Sequence, residues 1–380
     1  MIRDKSRCKL LVLSVSAGAG HVRAARALCA YALTGERALP AENVRHLDVM
    51  DYAPRAFRKL YADSYLKLVQ KMPFIWGLLY KSFDRFEHDK LVQRLRRMVE
   101  RLNTRALSRA IADFAPDVVI CTHFLPAEIL MHEINRGRFK TPVWVQVTDF
   151  DVHRMWVIPH MQGYLVANDE VAFRLGRLGI DPDRVHVTGI PIMPAFAENH
   201  DRAACRRDYG LDEQSPVLLL MGGGAGMGDL AAVAETLLEQ HPGFQLLVLA
   251  GKNAEALADL QALAREKYPQ RLFPQGFTDK VETLMACADL AISKPGGLTS
   301  SECLAMQLPM IVHSPIPGQE EHNADTLLEQ GVALKANDSL GLAWRVRELL
   351  AHPEKLRQMR QRARSIRRPT AGRAALDILM

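Results

Sequence analysis

The stretch that decides the fold is KLLVLSVSAGAGHVRAARAL, residues 9–28. It opens with an apolar run that predicts a buried strand, turns at Gly18 and Gly20, and continues with helical periodicity. A strand, a glycine turn and a helix in this order point free backbone N–H groups and the positive end of the helix dipole toward a ligand. A dinucleotide fingerprint has the form G-x-G-x-x-G/A. Here the third position is Arg23, so the pattern argues against NAD.

His21 lies where this predicted helix begins, directly after Gly20. A neutral imidazole at this place can act as a general base near pH 7, because the N-terminal end of a helix disfavours its protonation. We therefore predict a catalytic role for His21 and place Gly20 in the wall of a ligand site. The alternative, in which His21 only holds the turn together, stays open.

Short apolar runs alternate with helical patterns along the 380 residues. Strands that are buried on both faces, with helices between them, predict a parallel, doubly wound sheet. The predicted strands are 9–15, 44–49, 117–122, 142–149, 163–167 and 185–189 in the first half, and 217–223, 244–251, 271–277, 288–297 and 308–315 in the second. The helical patterns include 21–33, 92–114 and 341–368.

The alternation is interrupted at 190–216, a polar stretch that contains three prolines. We predict an α/β protein of two facing Rossmann-like domains, 1–195 and 196–365, with a cleft where both sets of strand ends meet. The last segment, 366–380, is a candidate to cross back to the N-terminal domain.

The composition is that of a globular protein, with 48% hydrophobic and 24% charged residues. The formal net charge of +6 suits an anionic partner such as phosphate, nucleic acid or a membrane surface. Six cysteines are scattered without a C-x-x-C pair, which predicts reduced thiols in a cytoplasmic protein rather than a disulfide frame or a zinc site. No apolar run approaches the roughly 18 residues of a spanning helix, so we expect any membrane contact at the surface.

A second glycine cluster, MGGGAGMGDL at 221–230, follows a predicted strand and opens a helix near Asp229. A tight turn alone needs one or two glycines, whereas four glycines in a short span let a ligand approach the backbone closely. We therefore predict contact with a phosphate or a sugar. The residues concerned are Gly222, Gly223 and Gly224.

The third and most specific cluster is SKPGGLTSSE, residues 293–302. We expect a turn after the predicted strand, with Thr299 or Ser300 as the cap of the next helix. Glu302 then lies about one turn inside that helix, where a carboxylate can accept hydrogen bonds from both hydroxyls of a ribose. The turn residues are Lys294, Gly296 and Gly297.

After the next predicted strand comes PIPGQEEHNA, residues 315–324. We interpret its beginning as a rigid loop whose polar side chains, Gln319 and Glu320, hydrogen-bond sugar hydroxyls. Two glycine turns for phosphate, an acid for the ribose and a polar loop for the sugar together predict a site for a nucleoside-diphosphate sugar. The alternative is an ordinary solvated loop, which has no need of proline and glycine beside two acids and an amide.

These motifs resemble those of the processive diacylglycerol glycosyltransferases and monogalactosyldiacylglycerol synthases, a family of inverting glycosyltransferases with the GT-B fold (glycosyltransferase family 28). The resemblance extends from about residue 8 to about residue 365. KPGGLTSSE and PIPGQEEHNA together carry most of it, and the other landmarks are GAGHVRAARAL, VTDFDVHRMW, DEV and VTGIPI.

By this resemblance, His21 matches the histidine that serves as base toward the acceptor, and Glu302 matches the ribose-binding acid. Gly222–Gly224, Gly296 and Gly297 lie on the nucleotide side, with Lys294 and Thr299 beside them, and Gln319, Glu320 and Asn323 lie in the stretch that meets the donor sugar. The acceptor-side signature T-D-F-x-x-H-x-x-W supplies Asp149, His153 and Trp156, and we assign Asp149 to catalysis as an aid to His21.

The sequence Asp149-Phe-Asp151 also spells D-x-D, which holds a metal under the diphosphate in a different glycosyltransferase fold. Asp151 is outside the pattern of the family named above. We expect helix ends and Lys294 to neutralise the leaving UDP, and therefore neither a metal nor another cofactor.

Residues 50–110 mix aromatic with basic side chains, including Phe74 and Trp76 in the run FIWGLLY. This composition predicts a peripheral anchor on anionic lipid, and Phe74 and Trp76 are candidate acceptor-binding residues. Packing of the segment on its own domain is the alternative. Nucleic-acid binding would also suit the charge, but no motif supports it.

The resulting hypothesis is transfer of glucose or galactose from a UDP-sugar to diacylglycerol with inversion, by a cytoplasmic enzyme on the inner face of the cell membrane. Alternatives are a UDP-N-acetylglucosamine-type transferase with another lipid acceptor, a soluble UDP-sugar epimerase, and a regulator that binds the nucleotide sugar or the lipid without turnover. The choice between glucose and galactose, the number of sugars added and the oligomeric state are left open.

Overall fold

The computed structural model describes residues 8–16, 18–54, 105–222 and 229–380. The chain divides into two compact units. The first comprises Met1–Pro194, Pro317–Gln319 and Thr370–Met380, and the second Ala195–Ile316 and Glu320–Pro369. The candidate membrane segment falls largely at 55–104, and the turn glycines Gly223 and Gly224 at 223–228, so both lie outside the described residues.

The described part of the first unit contains a parallel sheet of six strands in the order β2-β1-β3-β4-β5-β6. The strands are β1 (Leu10–Ser14), β2 (Val44–Asp48), β3 (Val118–Cys121), β4 (Val143–Gln146), β5 (Gly163–Val166) and β6 (Val185–Val187). From β1 the chain adds β2 on one side of the sheet and then β3 to β6 in order on the other side. The strand order therefore reverses between β1 and β3, which are hydrogen-bonded neighbours. Ligands of doubly wound sheets bind at such a switch point, outside the carboxyl ends of the strands.

Helices cover this sheet on both faces. They are α1 (Ala19–Ala32), the short α2 (Val49–Tyr52), α3 (Arg105–Phe114), α4 (Phe124–Asn135), α5 (Asp169–Arg177) and, from the end of the chain, α14 (Ala371–Leu379). One core cluster joins β1 and β3 to α3 and α4. A second joins the other face to α1 and to Ala375 and Leu376 of α14.

The second unit contains another parallel sheet of six strands, in the order β12-β11-β10-β7-β8-β9. The strands are β7 (Val217–Met221), β8 (Gln245–Gly251), β9 (Leu272–Gly276), β10 (Leu290–Ser293), β11 (Met310–His313) and β12 (Ala333–Ala336). This is the strand order of a dinucleotide-binding fold, with its switch point between β7 and β10.

The helices of the second unit begin at side-chain caps in several places. Asp201, Asp229, Asn253 and Asp338 each accept a hydrogen bond from a backbone N–H of the helix that follows. The helices are α6 (Arg202–Asp208), α7 (Leu230–Gln240), α8 (Ala254–Glu266), α9 (Val281–Cys287), α10 (Gly297–Ala305), α11 (Gln319–Glu329), α12 (Ser339–Ala351) and α13 (Pro353–Ile366).

Of the twelve strands in the described residues, eleven fall inside the runs that the sequence predicts. The twelfth, β12, was not predicted, because its short segment ALKA places Lys335 in the middle of an edge strand. The helical pattern at 341–368 divides into α12 and α13, since Pro353 cannot continue a helix and starts a new one at its first position. Within the described residues, no helix is long and apolar enough to span a membrane.

Candidate functional site

His21 is the third residue of α1, at the carboxyl edge of the first sheet. The helix starts after Gly18, which is extended and provides no side-chain cap. Thr122, which directly follows β3, holds this start in place: its hydroxyl donates to the carbonyl of His21 at 2.9 Å. Its backbone N–H donates to the carbonyl of Leu13 in β1, also at 2.9 Å. The first turn of α1 is therefore fixed to the switch point between β1 and β3.

The ring of His21 is held in one tautomer. Its Nδ1 lies 3.0 Å from the carbonyl oxygen of Thr122 and 2.8 Å from the hydroxyl oxygen of Thr148. A carbonyl oxygen only accepts hydrogen bonds, so Nδ1 carries the hydrogen and donates it. In the neutral ring, Nε2 is then the basic nitrogen. The geometry supplies a neutral imidazole whose lone pair is on the nitrogen away from the backbone.

Burial keeps this imidazole neutral. It lowers the pKa of His21 to about 4, against the opposing effect of the hydrogen bond to Thr122. At neutral pH the ring is therefore almost entirely in the form that accepts a proton. A general base needs that form, together with an acceptor nitrogen that is not consumed by the protein.

Aromatic rings and two further histidines surround His21. His123 packs edge-to-face against it, with ring centroids 4.6 Å apart. His123 in turn contacts Phe124 at 4.1 Å and Trp156 at 6.1 Å between ring centroids. His153 contacts both Phe124 and Trp156. The sequence-predicted residues His21, His153 and Trp156 are thus brought together around two residues that the sequence analysis missed, His123 and Phe124.

The neighbours of His123 lower its pKa further. Burial is the largest cause, and the nearby His21 and His153 add to it, so that the pKa of His123 lies well below its ordinary value. Burial also lowers the pKa of His153 to about 4, although the Asp151 carboxylate opposes this shift. The site therefore holds three neutral imidazoles near pH 7.

Asp149 and Asp151 differ in their surroundings. Asp149 is half-buried after β4, next in the chain to Thr148, which contacts His21. Asp151 is buried, and its carboxylate lies 3.6 Å from Nε of Arg174 in α5, within ion-pair distance. Within the described residues, no group of three His, Cys, Asp or Glu side chains is arranged to hold a metal.

The second unit places a different set of residues at its own switch point. Gly222 follows β7 and is buried, and a Cβ there would lie 3.1 Å from Cδ1 of Leu230 in α7. Glycine at this position therefore lets the turn pack closely on the helix. As predicted, that helix begins beside Asp229, which caps it.

The KPGG turn leads from β10 into α10, but the predicted cap is wrong. The helix begins at Gly297 with Gly296 in the cap position and no side-chain cap. Thr299 and Ser300 therefore lie within its first turns and cannot cap it; Ser301, one residue later, donates from its hydroxyl to the carbonyl of Gly297 at 2.8 Å. The backbone N–H groups at the start of α10 have no side-chain partner at the cap, as an anion-binding helix end requires.

Glu302 lies inside α10 and is only 1% exposed. Lys294 is half-buried at the end of β10. It helps to lower the pKa of His313, which lies at the end of the neighbouring strand β11 and whose pKa shift is caused mainly by burial.

Gln319 and Glu320 form the first turn of α11 rather than a loop, so the predicted loop is shorter than expected. Oε2 of Glu320 accepts a hydrogen bond from the backbone N–H of Ile316 at 2.7 Å, which folds the PIPG segment onto the helix. The other oxygen, Oε1, is 4.0 Å from the position that a Cβ on Gly296 would occupy. Asn323, one turn further along, is fully buried.

The structure thus assembles two groups of predicted residues. One surrounds His21 in the first unit. In the second, Gly222 follows β7, Lys294 and Gly296 follow the neighbouring strand β10, and Glu320 lies beside Gly296, while Glu302 lies further inside α10. Phe74 and Trp76 lie outside the described residues. His123 had a signal in the sequence, since the polar residues Thr122 and His123 directly follow the apolar run DVVIC, where a parallel strand ends at the functional edge.

Comparison with known proteins gives two family matches. Residues 21–192 match the family model described as monogalactosyldiacylglycerol (MGDG) synthase. Residues 203–366 match the family model described as glycosyl transferases group 1. The boundary between the two matches falls at the polar stretch with three prolines.

A curated relative, the processive diacylglycerol beta-glucosyltransferase of Bacillus licheniformis, is 29% identical over 362 residues, which cover 94% of this chain and 90% of the relative. The processive diacylglycerol beta-glucosyltransferase of Bacillus subtilis is 26% identical over 373 residues, which cover 98% of this chain and 94% of the relative.

Among solved structures, MnaA of S. aureus with UDP has a TM-score of 0.65 at 13% identity, covering 97% of this chain and 95% of that one. MurG of Acinetobacter baumannii has a TM-score of 0.58 at 15% identity, covering 97% and 98%. At this level of identity the likeness concerns the fold. Together with the two parallel sheets, it confirms the predicted α/β fold class of two Rossmann-like domains, GT-B.

Proposed function

The chain belongs to the family of the monogalactosyldiacylglycerol synthases and processive diacylglycerol glycosyltransferases, and from this premise we propose that it transfers a hexose from a UDP-sugar to diacylglycerol with inversion. The observation that carries the proposal is the tautomer of His21. Nδ1 is engaged by Thr122, which leaves Nε2 as a neutral base at a helix N-terminus.

In the proposed step, Nε2 of His21 takes the proton of the free hydroxyl of diacylglycerol. The hydroxyl oxygen forms a bond to the anomeric carbon as the bond from that carbon to the UDP oxygen breaks, with attack from the opposite face. The product is a β-glycoside, and the electron pair of the broken bond leaves with UDP. Asp149 aids His21 through its position beside Thr148, and Trp156 and His153 support the acceptor side.

On the donor side, the N-terminus of α10 and Lys294 stabilise the charge of the departing diphosphate. Glu302 binds the ribose hydroxyls, Gly222 admits the nucleotide to the backbone, and Gln319, Glu320 and Asn323 meet the hexose. We propose that this arrangement serves in place of a divalent cation, which is consistent with the ion pair of Asp151 to Arg174. Full activity in EDTA is the expected outcome, and a requirement for added Mg²⁺ would overturn this part.

For the location of the reaction, we propose peripheral attachment to the inner face of the cell membrane through the basic and aromatic segment at 50–110. Anionic vesicles should then bind the protein more tightly than neutral ones. The partners are UDP-glucose or UDP-galactose, diacylglycerol and the anionic surface.

The deciding experiment incubates the purified chain with each radiolabelled UDP-hexose and diacylglycerol in anionic vesicles, followed by separation of the lipids. We expect labelled glycosyl diacylglycerol from one of the two donors. Product formation without any lipid acceptor would instead favour an epimerase, and labelled lipid only with UDP-N-acetylglucosamine and another acceptor would favour the more distant transferases. UDP binding without turnover would indicate a regulator.

A further inference from the structure

His123 is fixed in the tautomer opposite to that of His21. It occupies the cap position of α4, where its Nδ1 accepts a hydrogen bond from the backbone N–H of Leu125 at 3.1 Å. A nitrogen that accepts from an N–H carries no hydrogen itself, so the hydrogen of the neutral ring is on Nε2. At Nε2, His123 is therefore a donor and His21 is an acceptor.

We propose that these two rings together bind the acceptor hydroxyl, with His123 donating from Nε2 to the hydroxyl oxygen while His21 accepts the hydroxyl proton. An alcohol is both a donor and an acceptor, so it satisfies both nitrogens at once. The oxygen keeps one lone pair for the anomeric carbon. His123 thereby orients the attacking oxygen, and the proposal rests on the proposed function for the identity of the alcohol.

The separation of the rings allows this arrangement. Two nitrogens that share one oxygen, each at a hydrogen-bond length of about 2.8 Å, lie within about 5.6 Å of each other. The centroids of His21 and His123 are 4.6 Å apart and the planes are nearly perpendicular, at 89°. Both rings are anchored by backbone groups at the same switch point, His21 through Thr122 and His123 through Leu125.

The positions of both hydrogens also explain why neither ring replaces the other. If His123 were a second base, the site would offer two lone pairs to one hydroxyl proton, and one would remain unsatisfied. Phe124 and Trp156 flank His123, so aromatic rings border the place where the hydroxyl would bind. One hydroxyl matches a pair of nitrogens of which one donates and the other accepts.

Two substitutions test separately the helix cap that Nδ1 of His123 provides and the hydrogen bond that its Nε2–H donates. In His123→Asn, the amide oxygen takes the place of Nδ1 and retains the cap, but the Nε2–H donor is lost. In His123→Gln, the longer side chain places its amide NH₂ near the position of Nε2, while the cap is lost. We expect His123→Asn to lower kcat/KM for the lipid acceptor about tenfold to a hundredfold, with unchanged affinity for UDP-hexose and a melting temperature above that of His123→Gln, because the cap is retained.

His123→Gln should show the reverse: activity within about threefold of the original protein and a lower melting temperature. Equal activity of His123→Asn and the original protein would overturn the proposal, and so would a loss in both variants that follows their melting temperatures. A failure of the proposed function would look different, because the original protein itself would then produce no glycosyl diacylglycerol.

A second measurement does not depend on activity. Nitrogen-15 NMR of the full chain, with its 13 histidines labelled and these two assigned through the variants, reports which ring nitrogen carries the hydrogen. We expect protonated Nδ1 in His21 and protonated Nε2 in His123. The same tautomer in both rings would overturn the proposal whatever the acceptor.

Discussion

Helices α1 and α10 begin in the same way but have different functional side chains near their N-termini. Each follows a strand at the switch point of its own sheet, has a glycine in the cap position and has no side-chain cap. The third residue of α1 is His21, surrounded by neutral rings, whereas the sixth residue of α10 is the carboxylate Glu302 and the turn before α10 contains Lys294. The comparison shows that the backbone supplies the same uncapped helix start twice, with different side chains beside it. The proposed function assigns activation of a hydroxyl to the first and binding of the nucleotide to the second.

The largest effect should come from the side chain that is special to α1. We expect His21→Ala to lower kcat at least about a hundredfold, the usual contribution of a general base, while affinity for UDP is retained. Initial rates and calorimetric titration with UDP measure the two quantities. Arg26→Ala, an exposed change on the same helix, is the matched control and should leave both unaltered. Near-normal turnover of His21→Ala would show that His21 is not the general base.

The corresponding change in α10 should affect binding. By the proposed function, Glu302→Gln weakens the hydrogen bonds to the ribose because it removes the charge, and we expect the Kd for UDP to rise about tenfold to a hundredfold. Glu329→Gln, at the exposed end of α11 in the same unit, serves as control. An unchanged Kd, or a fall in melting temperature without a change in Kd, would show that Glu302 is structural, and the contrast between the two helices would then be limited to His21.

The C-terminal end of α1 packs against α14. Gly372 in α14 lies against Tyr31, so closely that a Cβ would overlap the ring. We expect Gly372→Ala to cost about 1–3 kcal/mol in the free energy of unfolding through overpacking, with a smaller loss of kcat than His21→Ala. Denaturant titration and initial rates measure both.

The control for that substitution is Gly176→Ala in α5, where a Cβ meets nothing within 4 Å. It should stabilise the protein slightly, because alanine favours a helix over glycine by about 0.5–1 kcal/mol. Equal stability of the two variants would mean that α14 does not constrain α1.

A pH-dependent effect concerns the acid side. His153 has a pKa of about 4 in the folded chain, below the ordinary value of 6.5, so the unfolded chain binds more protons between those values. The free energy of unfolding should therefore fall as the pH drops from 6.5 to 4, by up to about 1.4 kcal/mol per pH unit for this group.

His153→Gln should make that dependence shallower by the same amount, as measured by denaturant unfolding at several pH values. His160→Asn replaces an exposed histidine with positive φ by a residue that tolerates this backbone, and it is the control. If both variants keep the original slope, burial of the imidazoles contributes nothing to acid sensitivity.

Most of the fold could be predicted because buried parallel strands are continuous apolar runs, and eleven of them are such runs. β12 was missed because an edge strand needs fewer apolar residues. The cap of α10 was misplaced because two glycines favour no helix by themselves, so its start is set by packing after β10 and not by local preference.

Within the site, His21 could be found because its glycine turn marks the end of a strand. The end of β3 marks the position of His123, but its contact with His21 joins residues about a hundred positions apart, so no local pattern pairs the two rings. The same holds for Thr122 and Thr148, whose oxygens select the tautomer of His21. The sequence indicates residue types at strand ends, and only the assembled sheet shows which hydrogen each ring carries.

The return of α14 to the first unit has a consequence for biosynthesis. Ala375 and Leu376 complete a core cluster whose other members include Leu10, Leu28 and Tyr31. The first unit therefore cannot close this hydrophobic cluster until residues 371–379 have been translated, long after β1 and α1. An early stop codon after residue 365 would expose apolar surface in the amino-terminal half, far along the chain from the missing codons.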